Sequence, residues 1–282
     1  MAKERIGIVG PGRMGLAMVK HLVKNGYPVT AIDVNKEQLQ KAKDLGTDTA
    51  DSAAELGKTC KFVIIAVGFD AEMWDVTTGK NGLFETMAPG SIIAVSSTVA
   101  PKSVQELDVI AQKQGIDVFD APICGGRFAA DDGTLLSLVG GKDKIVARAT
   151  PIYSTFCGTI KHLGKVGFGQ FGKAMNNFLL WINAIGLIEA GRLAEGIGIE
   201  LPTLFDALKV STGASQAMHD WDMISFTWAL DDMELVSQMS DQYGLSLPIM
   251  GAIKELVKDA RRIKATNPPD WTGNFKKQGA LK

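Results

Sequence analysis

Lys173 and Asn177 stand four residues apart at the head of a strongly apolar stretch, behind the glycine-rich run Gly164-Lys165-Val166-Gly167-Phe168-Gly169-Gln170-Phe171-Gly172. In a helix that spacing puts both side chains on one face, one turn apart. A lysine among apolar neighbours loses hydration unless it is paired or faces a cleft. An amine held that way suits proton exchange, so Lys173 is the candidate acid/base and Asn177 its neighbour. The glycines leave room for close backbone approach and for an unobstructed helix start.

A second set of residues lies near the beginning of the chain. Ile6-Gly7-Ile8-Val9 reads as a buried strand, and Gly10-Pro11-Gly12-Arg13-Met14-Gly15 follows at once, leading into a helical apolar face that ends at Asn25-Gly26. Between a strand and a helix this pattern is a diphosphate cradle. Gly10 permits the tight turn, Gly12 lets the backbone approach a pyrophosphate, and Gly15 lets helix pack on strand. Gly10, Pro11, Gly12, Arg13, Met14 and Gly15 are therefore the first cofactor-binding candidates. The next strand ends in Asp33. A carboxylate there can accept both ribose hydroxyls of an adenosine and would repel an added phosphate, which predicts NAD, while Lys36 and Lys41 nearby leave NADP open.

The elements that must position these groups follow from periodicity. Apolar runs at 62–67, 91–95 and 118–120 alternate with helical segments near 36–45, 70–77 and 101–114, with Pro101 in a first-turn position. Two more strands, at 134–139 and 156–163, are separated by a helix over 142–153. The pattern predicts an α/β chain: an N-terminal Rossmann-type doubly wound sheet over residues 1–163, then an all-helical C-terminal domain over 164–282, joined by a long interdomain helix over 170–196. Ligands of such sheets lie beyond the carboxyl ends of the strands. Val67, Thr98 and the run Ala121-Pro122-Ile123-Cys124-Gly125-Gly126 fall on that edge. Val67 and Thr98 are thus expected against the cofactor, and Thr98 against the substrate as well. Apolar groups on nearly every side of the long helix predict burial between domains or subunits, and hence a homodimer or homotetramer. Trp221 and Trp228 are expected in core packing, and the polar tail over 265–282 is expected to be peripheral.

Composition excludes several classes. Thirty basic against 31 acidic residues give a formal charge of -1, which argues against a nucleic-acid partner. No segment reaches the ~20 apolar residues of a membrane span. The cysteines Cys60, Cys124 and Cys157 are widely spaced, and His21, His162 and His219 have no ligand-like spacing, so neither a disulfide framework nor a metal site is expected. With no leader-like apolar segment at the start, the expected location is the cytoplasm.

The motifs together resemble the β-hydroxyacid dehydrogenases, the group containing 3-hydroxyisobutyrate dehydrogenase, tartronate semialdehyde reductase and 6-phosphogluconate dehydrogenase. Four places carry the resemblance over nearly the whole chain: residues 10–18, the run 120–126 followed by Gly133-Thr134-Leu135, Gly167-Phe168-Gly169-Gln170 with Lys173 and Asn177, and Asp231-Asp232-Met233-Glu234-Leu235 ahead of Pro248. The resemblance implies reversible hydride transfer between a nicotinamide and a small 3-hydroxy acid or its semialdehyde. It implies that Lys173 moves the proton, that Asn177 orients substrate and lysine, and that the amides of Gly125 and Gly126 hold a substrate carboxylate. The chain departs from the family pattern twice. Cys124 stands where a substrate-binding serine is usual, and cysteine is a weak donor; Arg127 offers a replacement. Asp231 stands where the family has lysine, which disfavours an anionic substrate and favours a cationic or neutral one. Both are counted as substrate-binding candidates.

Three other readings share the architecture. An imine reductase would suit Asp231, although those enzymes usually lack a lysine at the position of Lys173. A decarboxylating dehydrogenase of phosphorylated sugar acids would need a basic pocket, and the second half clusters bases only at Lys258, Arg261, Arg262 and Lys264. A dinucleotide-binding protein that has lost activity would treat Cys124 and Asp231 as lesions.

Overall fold

The computed structural model describes residues 3–275. The chain packs as two units, Met1–Lys173 and Ala174–Lys282.

The first unit is built on β1 (Ile6–Val9), α1 (Arg13–Lys24), β2 (Val29–Ile32), α2 (Lys36–Asp44), β3 (Asp48–Thr49), α3 (Ala53–Thr59), β4 (Phe62–Ile65) and α4 (Asp70–Thr78). It continues through β5 (Ile92–Val95), α5 (Pro101–Gln112), β6 (Asp117–Asp120), β7 (Ile123–Cys124), α6 (Gly126–Asp132), β8 (Leu135–Gly140), α7 (Asp143–Tyr153) and β9 (Cys157–Gly164). The strands form one sheet in the order β3-β2-β1-β4-β5-β6-β8-β7, with β9 on β8. From β3 to β6 the pairing is parallel, and β8 then runs antiparallel to β6 and β7. β1, β4 and β5 are buried along their whole length, as strands covered on both faces must be. Met18 and Leu22 of α1 and Tyr153 of α7 pack one face with Ile8, Ile64 and Phe119. Leu56 of α3 with Val104 and Leu107 of α5 cover the other face against Val63, Ile65 and Ile93. Each such side chain contributes about 1.5–3 kcal/mol. β3, α3, β7 and α6 have two to seven residues, too short for a periodicity to declare itself in the sequence.

α8 (Phe168–Ile197) is a single helix of 30 residues that belongs to both units. It is followed by α9 (Leu201–Leu208), α10 (Gln216–His219), α11 (Ala229–Tyr243) and α12 (Pro248–Thr266). α11 stops at Gly244, whose φ of 61° is left-handed. Among the described residues no helix is long and apolar enough to cross a membrane.

Two sequence expectations change here. The stretch after α12 is not peripheral as far as it is described. Trp271 is fully buried, its ring lies 5.9 Å from that of Phe205, and its Nε1 donates to the Leu187 carbonyl at 3.0 Å. Pro269 and Trp271 close over Gly191 of α8, where a Cβ would collide with them. Residues 276–282 of the same tail lie outside the described residues. Second, Trp221 is buried, but Trp228 is 54% exposed. Trp221 opens a single 3-10 turn and Trp228 lies in the turn that leads into α11, so a seven-residue spacing gives them no common face. Within the single chain Leu179, Leu193 and Ile197 of α8 are 57%, 67% and 67% exposed.

Candidate active site

At the end of β1 the chain turns through Gly10, whose φ is 83°. A Cβ there would lie 2.8 Å from the Ala66 carbonyl oxygen and 3.1 Å from Val67 Cγ1, so Val67 packs directly on the loop. A Cβ on Gly15 would run into the Gly10 carbonyl. Gly12 is different: nothing lies within 4 Å of where its Cβ would be. α1 starts there with no side-chain cap and no acidic residue in its first turn. An open backbone beside uncapped helix amides is an anion cradle. Met14 is half-buried and packs on the core. Arg13 is engaged elsewhere, its guanidinium bonded to Asp131 of α6 at 2.6 Å.

Asp33 follows β2 and is half-buried. Its Oδ1 accepts the Asn35 N–H at 2.7 Å, while Asn35 caps α2 by accepting from the Glu37 amide. The turn therefore holds the Asp33 carboxylate in one orientation. Lys41 is paired with Glu37 at 2.7 Å, and Lys36 is exposed.

The first turn of α8 is tied to the sheet by buried polar groups. Asp120, at the end of β6 and fully buried, accepts the Gly167 N–H on Oδ1 at 2.6 Å and the Gln170 N–H on Oδ2 at 2.7 Å. Burial pushes its carboxyl up to about 6, against the backbone donors that favour the ionised form. Gln170, also fully buried, donates from Nε2 to the Ser97 carbonyl at 2.7 Å and accepts the Val99 N–H on Oε1 at 3.1 Å. Its amide thus grips the chain on both sides of Thr98, which is itself half-buried. Lys173, one turn beyond Gln170, is half-buried.

Cys124 lies in β7, buried and paired with Leu136 of β8. Gly125 and Gly126 follow with φ of 113° and 69°, both in the left-handed region that glycine tolerates. Both are exposed, and the space over Gly126 is open. Arg127 is exposed on α6.

In the second unit Asn177 is buried and donates from Nδ2 to Asp232 Oδ1 at 2.7 Å. Its own Oδ1 accepts from Asn176 at 3.0 Å. Trp181, one turn on, donates its Nε1 to Asp232 Oδ2 at 2.8 Å, and its ring lies 5.2 Å from Phe226. Both oxygens of Asp232 therefore serve α8, Oδ1 holding the Asn177 carboxamide and Oδ2 the Trp181 ring. Asp231, the preceding residue on α11, is exposed.

Asp120, Gln170 and Asp232 were passed over as site residues in the sequence. Each sits inside or beside a run already singled out, and the signal was a polar side chain in an otherwise apolar or glycine-rich setting. Among the described residues no three His, Cys, Asp or Glu side chains stand together as a metal site.

A family model described as the NAD binding domain of 6-phosphogluconate dehydrogenase matches residues 5–167. Another, described as NAD-binding of NADP-dependent 3-hydroxyisobutyrate dehydrogenase, matches residues 167–270. The mitochondrial 3-hydroxyisobutyrate dehydrogenase of Rattus norvegicus is 33% identical over 75% of this chain and 63% of its own length. The chain thus spans less than two thirds of the length of that relative. The Mycobacterium tuberculosis 3-hydroxyisobutyrate dehydrogenase structure with L-serine superposes with a TM-score of 0.85 at 26% identity, covering 91% of this chain and 93% of that one. An imine reductase from Myxococcus stipitatus in complex with NADP+ has a TM-score of 0.67 at 18% identity over 94% of this chain and 96% of its own, a likeness of fold alone. These relatives overturn the cytoplasmic expectation, since the rat protein and its mouse and human counterparts are mitochondrial. Cysteine usage argues against an oxidising compartment and does not choose among the others. The first unit is an NAD(P)-binding Rossmann domain, and the chain belongs to the NAD-binding superfamily of 3-hydroxyacid dehydrogenases and 6-phosphogluconate dehydrogenase, closely related to 3-hydroxyisobutyrate dehydrogenase.

Proposed function

We propose that the protein is an oxidoreductase that transfers a hydride between a nicotinamide dinucleotide and a small 3-hydroxy acid or its semialdehyde, with Lys173 as general acid/base. The observation that carries this reading is Lys173 and Asn177 one turn apart on α8, with the Asn177 carboxamide held by Asp232 at 2.7 Å.

The first unit suits the dinucleotide. Gly12 and the uncapped first turn of α1 would take the diphosphate, Asp33 the adenosine ribose, and Val67 and Thr98 would border it at the strand ends. Asp33 favours NAD, because a carboxylate repels a 2′-phosphate and Lys41 is already paired with Glu37. The bound nicotinamide supplies or accepts the hydride. In reduction, Lys173 gives a proton to the carbonyl oxygen, and in oxidation it takes the hydroxyl proton back. Asn177 orients the reacting oxygen and the amine. The Gly125 and Gly126 amides, exposed and rigidly turned, hold a substrate carboxylate, with Arg127 beside them on α6. Cys124 lines that turn as a weak donor.

One observation favours a second substrate class. Asp231 offers an exposed carboxylate beside Asp232, which suits a hydroxy acid carrying an amino group better than a doubly anionic one. The M. tuberculosis relative in complex with L-serine supports this reading. Lys173 weighs against imine reduction and against a lapsed enzyme. Exposed Leu179, Leu193 and Ile197 on α8 support pairing with a second copy of the chain.

The test is Lys173→Ala assayed with hydroxy acids, hydroxy amino acids, aldehyde acids and cyclic imines, each with both nicotinamides. Turnover on the preferred hydroxy acid is expected to fall by about 10²–10⁴-fold, with dinucleotide binding intact. Near-normal turnover would remove the lysine from the chemistry, and activity confined to imines would replace the substrate class.

A further inference from the structure

Asp120 has no role in the proton or hydride steps, yet it is a fully buried carboxylate. Burying an ionised carboxylate costs several kcal/mol, and a helix start is ordinarily capped by a Ser, Thr, Asp or Asn next to it in sequence at no such cost. Here the cap comes from a strand end 47 and 50 residues before the two amides it accepts. The space is kept for it: a Cβ on Gly140 or Gly169 would stand 2.6 Å and 2.8 Å from its oxygens. Only a carboxylate fits the partners. Both oxygens face N–H donors, and an asparagine would turn its own N–H groups against one of them. Asp120 also directly precedes the run that leads to Gly125 and Gly126.

We propose that Asp120 is a positioning residue: by accepting the Gly167 and Gln170 amides it sets the place and rotation of the first turn of α8, and so brings the Lys173 amine into register with the Gly125–Gly126 turn. The proposal rests on Lys173 being the acid/base. It has a consequence in pH. Ionised, Asp120 accepts both amides; protonated, which acid achieves as pH falls through about 6, it must offer its own O–H to one of them. Two titratable groups packed in the same core stay protonated over that range, and a third, His162 of β9, is set against the Gly141 and Gly164 carbonyls at 2.9 Å. Tyr153 of α7, bonded to Ser96 Oγ at 2.7 Å, is pushed up by burial and by the Asp120 charge. Cys157 of β9 is pushed up by burial to about 12. Reduction uses Lys173 in its protonated form, so acid does not slow it through the lysine. An acid-side fall of kcat in the reducing direction that disappears in Asp120→Asn would then report Asp120.

The experiment compares wild type, Asp120→Asn and Lys173→Ala in reduction of the preferred carbonyl substrate from pH 5 to 8, with dinucleotide Kd measured by fluorescence titration. Asp120→Asn is expected to lower kcat on the order of 10–10²-fold, to leave dinucleotide Kd within about threefold because the α1 loop is untouched, and to abolish the acid limb. Wild-type kcat in Asp120→Asn, or a persisting limb, overturns the proposal. Should that variant not fold, the wild-type profile decides, and a kcat that stays level from pH 7 to 5 overturns it. Lys173→Ala keeps the two ideas apart. If it retains turnover, the acid/base reading falls. If it loses turnover while Asp120→Asn behaves as wild type, only the positioning role falls.

Discussion

Gly169 and Gly186 lie on the same helix, α8, and an alanine at each should act in opposite directions. Local propensity favours alanine over glycine in a helix by about 1 kcal/mol at both. At Gly186 nothing lies within 4 Å of the added methyl, so that gain stands alone. At Gly169 the methyl would come to 2.5 Å from the Leu138 carbonyl oxygen, 2.8 Å from Asp120 Oδ2 and 2.9 Å from the Gly140 amide nitrogen. Two of these are strand backbone and the third is the buried cap, so none can swing aside. Relief requires the helix start to withdraw by roughly 0.5–1 Å, the distance from these approaches to ordinary contact. That stretches the two Asp120 bonds of 2.6 Å and 2.7 Å, each a bond to a charged group worth about 1.5–3 kcal/mol. After the propensity gain, Gly169→Ala is expected to destabilise by about 2–4 kcal/mol, and at about 2–4 °C per kcal/mol its Tm should drop by roughly 5–15 °C. Gly186→Ala should raise Tm by about 1–4 °C. Thermal unfolding followed by circular dichroism and tryptophan fluorescence reads both. A Gly169→Ala protein as stable as Gly186→Ala would mean that the approach of α8 to β8 is slack, and the account of how Lys173 is positioned would go with it.

Two further outcomes are expected. Trp271→Ala removes a fully buried ring and its bond to the Leu187 carbonyl and should cost about 3–5 kcal/mol in urea unfolding; a cost under about 1 kcal/mol would return this segment to the periphery. Asp33→Asn keeps an acceptor for the Asn35 amide but drops the charge, so the kcat/KM ratio of NADPH to NADH should rise at least about tenfold, equivalent to ~1.4 kcal/mol, and an unchanged ratio would take NAD preference away from Asp33.

The amino-acid order alone determined the alternation of strand and helix, the dinucleotide loop, the carboxylate at the end of the second strand, and the long helix carrying Lys173 and Asn177. These are local matters: a repeat of 2 or 3.6, a glycine where backbone must come close, two side chains one turn apart. Family resemblance was legible for the same reason, because each motif is a contiguous run. What fixes the candidate site residues in place was not local. Asp120 reads as the end of a strand until β6 is set beside the start of α8, and Gln170 reads as a polar helix residue until the loop around Thr98 reaches it. The second of two adjacent aspartates, Asp232, becomes an anchor for Asn177 and Trp181 only when α11 is laid against α8. Trp271 and Trp228 exchanged their expected places because burial depends on which distant surface arrives to cover a ring. Partners 47 to 73 residues apart leave no periodic trace in the chain, so the tertiary packing alone decided which buried polar groups are paired, and with them how the first turn of α8 is held.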